Sequence, residues 1–308
     1  RNATEGSDWL VECASRQSDQ PLWVLVWGGL EDLAQALHDA PQIKSSIRVY
    51  WIGGPNKKWS VNAYDYIADN HPDLWMIEAN ATYRGWFMDE DSPENMKSHV
   101  YFDNFIKGNG ALGQDFRKHY GGKVKMGDTP SVAYLMSGDP NDPESESWGG
   151  SFIKIDRSTK YLFEQNTTVA DTVATYSIME WHFKGPVMHI LDDSVPFTIK
   201  IQGQTWPGYY IGDGKYGVRY SSKKQEVGHY ETFSDIKELN GHVGQYVSVI
   251  PWPGGPQEFD HVLGDHWYSD RSDSDLFVDN QQGAKTVSRH REEFLSDWAE
   301  RWSWLDLR

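Results

Sequence analysis

The residues of this chain that could do chemistry lie in a few short stretches. Two apolar runs end in paired glycines, LWVLVWGG at 22–29 and IRVYWIGG at 47–54. A single glycine pair serves a bare turn as well as a ligand. Repeated at equivalent strand ends, the pairs suggest two neighbouring strands opening onto one cleft, because ligands of parallel sheets sit at the carboxyl ends of strands. That places a ligand edge at residues 27–29. Tyr83, Arg84 and Trp86 follow a third apolar run, where a cleft-lining loop belongs, as ligand contacts or as core. Asp128 precedes an apolar helical pattern, which it or Thr129 would cap. His261, Asp265 and His266 in FDHVLGDHW are spaced so that they could hold a metal, or so that backbone and water satisfy them in an ordinary loop. Asp89, Glu90 and Asp91 read as a solvated loop rather than a cation site. No GxSxG, HExxH, CxxC or Walker pattern occurs.

The elements that must position these residues fall into two patterns. Residues 1–153 alternate between strands and helices: helix 8–14, strand 22–26, helix 30–38, strand 47–52, helix 64–70 and strand 74–78. A turn then leads into a helix within 107–120, and Pro130 opens an apolar helix running to 136. This alternation predicts an α/β domain with a mainly parallel sheet. Residues 22–26 have the composition of a strand buried on both faces. From 169 to 250 the pattern becomes short alternating strands with turn signals at 203–204, 212–214 and 240–241, the signature of an all-β sandwich of immunoglobulin type. Residues 251–285 are rich in Pro, Gly and Asp and read as mostly irregular. A helix is predicted over 286–305, capped by Ser288 with Glu292 near its third position and carrying Phe294, Leu295, Trp298, Trp302 and Leu305 on one stripe. The expected organisation is an α/β domain at 1–155, a β-sandwich at 156–250, and a segment at 251–308 that returns to the first domain and makes the sandwich an insertion.

With 308 residues the chain can bury a large core. Its net charge of −16 argues against general nucleic-acid binding and fits neutral or cationic ligands. No apolar run is long enough to span a membrane. The single cysteine, Cys13, excludes an internal disulfide and reads as core. The first residue is Arg1, so the chain reads as processed, trimmed or partial. Sequons at Asn2, Asn80 and Asn166 would accept glycans in a eukaryotic secretory route. Much of the content of 15 Trp must be core, but exposed Trp and Tyr make platforms for sugars and bases.

Four stretches resemble the nucleoside hydrolase superfamily, and more closely its nucleoside-hydrolase-like branch that includes secreted cellulose-associated bacterial proteins. They are LVWGGLEDLAQAL, VYWIGGP with the following AYDYIADN, KMGDTPSVAYLM, and the terminal SRHREEFLSDWAERWSWL. The middle segment is more loosely similar to an immunoglobulin-like accessory domain found beside carbohydrate-active modules. The resemblance implies a Ca2+ ion at the strand ends, whose bound water attacks an anomeric carbon while an Asp takes its proton. It implies the Trp27 carbonyl and Asp128 as metal ligands, and Asp65, with Asn62 and Asn56 nearby, in contact with the sugar. Arg84 and Trp148 join the substrate-binding set, Trp148 either stacking on a base or sugar or serving as a packing residue.

The chain also departs from that family. The family's N-terminal Asp-rich cluster, source of most calcium ligands and of the general base, has no counterpart before residue 22, where only Asp8, Glu12 and Asp19 occur. The catalytic base is therefore unassigned and expected upstream of Arg1, or on a separate chain supplying that segment. Gly127 stands where the family usually has His. Two functions follow. One is a nucleoside-hydrolase-like glycosidase acting on an N-glycosidic or related bond through a calcium-bound water. The other is a non-catalytic carbohydrate- or polysaccharide-binding protein. Either takes a nucleoside or carbohydrate ligand, engages no nucleic acid or membrane, and is expected to be secreted or periplasmic.

Overall fold

The computed structural model describes residues 3–87, 92–120, 126–188 and 194–306. The acid run at 89–91 and the sequon at Asn2 lie outside the described residues. In the first half the elements are α1 (Glu5–Ala14), β1 (Leu22–Val26), α2 (Glu31–Asp39), β2 (Ile47–Ile52), α3 (Gly54–Lys57), α4 (Val61–Asn70), β3 (Met76–Ala79), α5 (Ser98–Tyr101), α6 (Gly110–Tyr120) and α7 (Thr129–Met136). Next come β4 (Phe152–Lys154), β5 (Arg157–Ser158), β6 (Lys160–Phe163), β7 (Thr172–Ala174), β8 (Ile178–Lys184), β9 (Thr198–Ile201), β10 (Gln204–Pro207), β11 (Tyr209–Gly212), β12 (Lys215–Tyr220), β13 (Glu226–Phe233) and β14 (Val243–Val249). The chain closes with β15 (His261–Val262), β16 (Trp267–Asp270), α8 (Lys285–Ser288) and α9 (Arg291–Ser303). No helix among the described residues is long and apolar enough to cross a membrane.

The first sheet has the order β1-β2-β3-β16-β4, parallel except for β4. β1 is its edge strand, half-buried along its length rather than buried on both faces. Leu33, Ala36 and Leu37 of α2 and Tyr64, Ile67 and Ala68 of α4 bury their stripes against Val49, Trp51 and Met76 on one face. The presence of β16 corrects the reading of 251–285 as irregular. Its four residues sit among Gly, Asp and Ser, too short to show a period, yet they pair with β3 in the middle of the sheet. Asn80 is completely buried, which removes its sequon from any glycan, whereas Asn166 is exposed. Cys13 is free and half-buried.

Between β4 and β16 the chain builds two larger sheets, β10-β9-β13-β14-β7 and β11-β12-β8-β6, and the two-stranded β15-β5. Trp181, Phe183 and Val218 of one and Ile199, Tyr230 and Tyr246 of the other fill a single core between them. The run 172–183, which carries no glycine or proline, is divided into β7 and β8. Tyr176 takes a left-handed φ of 68°, so β7 and β8 enter different sheets. The helix expected over 286–305 is likewise two, because the backbone ladder breaks at residues 289–290 and α9 starts behind His290; Ser288 ends α8 and caps nothing. Phe294 and Leu295 of α9 pack with Trp86, Tyr101, Phe102 and Ile106, and the rings of Trp86 and Phe294 stack 3.9 Å apart.

A charged junction joins α4 to the β-rich half. The Asp65 carboxylate accepts from Lys160 Nζ at 2.8 Å, lies 2.8 Å from His261 Nε2 and 3.2 Å from the Arg219 guanidinium. Glu180 takes Lys160 at 2.9 Å, Arg219 Nε at 2.7 Å and the Tyr209 hydroxyl at 2.8 Å. Desolvation alone would push the Glu180 carboxyl up, but Arg219 and Lys160 outweigh it and hold it at about 2. The folded value lies below the ordinary 4.5, so the stability it contributes is present above that pH and lost as pH falls towards 2. Glu180→Gln should therefore flatten the acid limb of a stability–pH profile by on the order of 3 kcal/mol, read by urea titration between pH 6 and pH 2. A limb as steep as that of the parent chain would show that the junction does not carry acid lability.

Candidate functional site

At the carboxyl edge of the parallel strands lies a knot of buried polar groups. Glu78 in β3 accepts from Lys57 at 2.6 Å, Asn80 at 2.6 Å, Tyr64 at 2.7 Å and Trp267 at 3.2 Å. The Lys57 ammonium also sits 3.7 Å from the Tyr64 ring and 4.0 Å from that of Trp252. Its pKa falls to about 8 because burial outweighs Glu78, so it remains a cation at neutral pH. Beside it, Asp270 at the end of β16 accepts the backbone N–H of Ala81 at 2.8 Å and of Thr82 at 3.1 Å. These bonds hold the loop after β3 that carries Tyr83, Arg84 and Trp86. None of these polar groups lines the cleft; they fix its walls.

The cleft opens above this edge, a hollow of about 610 Å³ lined by Trp27, Trp86, Asp128, Trp148, Trp298 and Arg301 among others. Trp27 follows β1, 54% exposed, and its indole N–H donates to Ser131 Oγ at 2.8 Å. Ser131 in turn donates to the Asp128 carbonyl at 2.7 Å, which ties the strand end to the first turn of α7. Asp128 occupies the N-cap position, but its side chain makes no capping bond. It stands exposed at the cleft mouth, and partial burial raises its carboxyl above the usual range. Trp86 is buried at 3% exposure and its indole N–H lacks a hydrogen-bond partner. Trp148 is half-buried and donates to Glu293 at 3.0 Å. Asp297 lines the same hollow, paired with Arg301 at 2.7 Å. A larger hollow of about 830 Å³ lies at the opposite edge, by Leu22 and Ile47 at the amino ends of β1 and β2, where a parallel sheet does not place its ligands.

Trp27, Asp128 and Trp148 are thus brought together. Asn56 stands behind them, its amide donating to the Ile52 carbonyl at 2.8 Å and more weakly to that of Trp27 at 3.4 Å. Arg84 is half-buried over the Tyr83 ring, 5.5 Å from its centroid. Asn62 is exposed and accepts from Arg219 at 3.2 Å. Asp65, expected to meet the sugar, instead faces the charged junction, where three cations or imidazoles occupy it. His261, Asp265 and His266 do not converge either, since His261 goes to Asp65 and Asp265 to Lys154. Calcium takes six to eight oxygens. Here the Asp128 carboxylate, an Asp297 carboxylate already paired with Arg301, and one carbonyl approached by Asn56 are present, and no group of three or more His, Cys, Asp or Glu that could hold an ion occurs among the described residues. These residues do not by themselves fit calcium. Sequence reasoning missed Glu78, Asp270 and Trp298; a lone Glu in the apolar run LWMIE was the one signal available for the first.

The buried Asp270 makes the cleft wall sensitive to pH. Burial pushes its carboxyl up from 3.8 to about 7, against the pull of the Thr82 and Ala81 N–H groups. A raised folded value means that its stabilising contribution is complete below pH 3.8 and lost as pH rises through 7. Asp270→Asn should remove a fall in unfolding free energy on the order of 4 kcal/mol over that window, read by denaturant titration. An unchanged slope would refute the assignment.

Residues 1–152 match the family described as cellulose-binding Sde182, nucleoside hydrolase-like domain. Residues 172–235 match a domain of unknown function, DUF5060. No curated protein sequence matches significantly. Among solved structures, the chain is similar to a nucleoside hydrolase-related hypothetical protein from Saccharophagus degradans that is associated with carbohydrate metabolism. Identity is 15% and the TM-score 0.38, over 80% of this chain and 75% of that one. It is also similar to an inosine-uridine preferring nucleoside hydrolase from Bacillus anthracis, at 18% identity and a TM-score of 0.36, over 52% of this chain and 54% of that one. The nucleoside hydrolase-like family model thus covers the part of the chain that holds β1, β2, β3 and both glycine-pair strand ends.

Proposed function

We propose that the chain binds a carbohydrate in the cleft between Trp27 and α9. The observation that carries this reading is the convergence of four indoles, from Trp27, Trp86, Trp148 and Trp298, on one hollow at the carboxyl edge of the sheet. Sugar rings present C–H faces that pack on indoles and hydroxyls that need a few directed partners. A mostly apolar cleft with a small number of polar groups matches that demand. Asp128 and Arg301 are such groups. The cellulose-binding description of the matching family supports the same class of ligand.

Hydrolysis of a glycosidic bond is the second reading, and the Asp128 carboxyl favours it. A raised carboxyl with no capping duty is suited to protonate a leaving oxygen. Glycoside cleavage needs a second carboxylate, and Asp297 in the same hollow is held by Arg301. The calcium-dependent N-glycosidase expected from the resemblance needs ligands and a base beyond Trp27 and Asp128, so no step is routed through the ion.

Affinity electrophoresis and cellulose pull-down with the 308-residue chain test the binding reading. Trp27→Ala should weaken retention about tenfold or more, as removal of a central aromatic anchor does, and a chelator should leave retention unchanged. Retention that survives Trp27→Ala would refute the cleft as the site. Loss of retention on chelation would return a cation to it. A nucleoside panel with added calcium should give no ribose release above the uncatalysed rate. Reducing-sugar release from a glycan, abolished by Asp128→Asn with affinity kept, would establish the second reading.

A further inference from the structure

The structure assigns a second carbohydrate subsite, centred on Trp59, that extends the cleft so that a neutral pyranose chain rather than a single sugar is the ligand. This inference rests on the binding reading above. Trp59 lies just beyond α3 at the carboxyl edge, 53% exposed. Its outward position is built. The buried Trp206 of β10 stacks on it with centroids 5.0 Å apart and planes 18° apart, and donates its own indole N–H to the Lys58 carbonyl at 2.8 Å. Lys58 Nζ lies 4.6 Å from the Trp59 centroid and donates to Gln204. An exposed indole clamped this way has already lost its rotamer freedom, so a ligand stacking on it has little ordering left to offset.

Beside the ring is a hollow of about 330 Å³ bordered by Gln35, His38, Asn62, Glu31 and Asp32. Amide, imidazole and carboxylate groups around an indole offer the directed partners that hydroxyls need. The carboxylates there, with a net charge of −16, oppose uronate or sulfated chains. Both exposed indoles follow carboxyl ends of neighbouring strands, Trp27 after β1 and Trp59 after β2 and α3, and hydrogen bonds link the two segments. The Asn56 backbone carbonyl accepts the backbone N–H of Trp59 at 3.0 Å, and its side-chain amide points towards the Trp27 carbonyl at 3.4 Å. Ser60 accepts the Leu30 N–H at 2.7 Å and so ties the glycine turn after Trp27 to the segment carrying Trp59.

The test is isothermal titration of cellobiose, cellohexaose and an oligogalacturonate into the parent chain, Trp59→Ala, Trp59→Phe, Trp206→Ala and Trp27→Ala, each checked by circular dichroism melting. The parent should bind cellohexaose more tightly than cellobiose and the oligogalacturonate least. Trp59→Ala should weaken cellohexaose about tenfold or more while leaving cellobiose unchanged. Trp59→Phe should keep most of the affinity, and Trp206→Ala should weaken cellohexaose without touching cellobiose. Cellohexaose affinity unchanged by Trp59→Ala but lost in Trp27→Ala overturns the subsite and leaves the cleft standing. Loss in Trp59→Ala with no effect of Trp27→Ala keeps the subsite and overturns the cleft. A parent chain that binds none of the three overturns both.

Discussion

The buried carboxylate of Glu78 is the constraint on which the ligand edge depends. A carboxylate with no exposure is tolerable only when charge and hydrogen bonds compensate it, and here an ammonium, an amide, a hydroxyl and an indole do so. Those donors come from α3, the residue after β3, α4 and β16, so one side chain couples strands distant in sequence. Removing either Lys57 or Glu78 would strand the other charge, which is why such pairs fix geometry more than they add net stability. One strand over, Asp270 accepts two backbone N–H groups and so holds the loop that carries Trp86.

With the edge fixed, the site can be mostly aromatic. Polar groups beneath it position backbone, whereas indoles above it face the hollow. Asp128 shows the difference: it sits at a helix N-cap yet its carboxyl makes no capping bond, while Ser131 bonds its carbonyl. The charged junction is anchored on Asp65 of α4, the residue next to the Tyr64 that serves Glu78. There Asp65 and Glu180 compensate Lys160 and Arg219 in a space largely closed to solvent, and the β-rich half is held against the helix that follows the second glycine turn. The platform of Trp59 needs that attachment, since its backing ring belongs to β10.

The sequence by itself determined the local grammar. Paired glycines after Val-rich runs, helical stripes in α2 and α4, and turn residues between β-branched and aromatic runs are short-range signals, and they sufficed for the α/β half and for most strands of the β-rich half, whereas only the family resemblance put Trp27 beside Asp128. Tertiary structure decided what depends on partners far along the chain. β16 is a central strand because β3 offers it hydrogen bonds, not because WYSD has a period of its own. Asp65 turned from sugar contact to junction because Lys160, Arg219 and His261, each about a hundred residues or more away, compensate it in a buried space. Which indoles are core and which are platforms was likewise undecided by composition. Trp206 is buried and Trp59 exposed although they stack on each other, since exposure is a property of what covers a ring and not of the residues beside it in the chain.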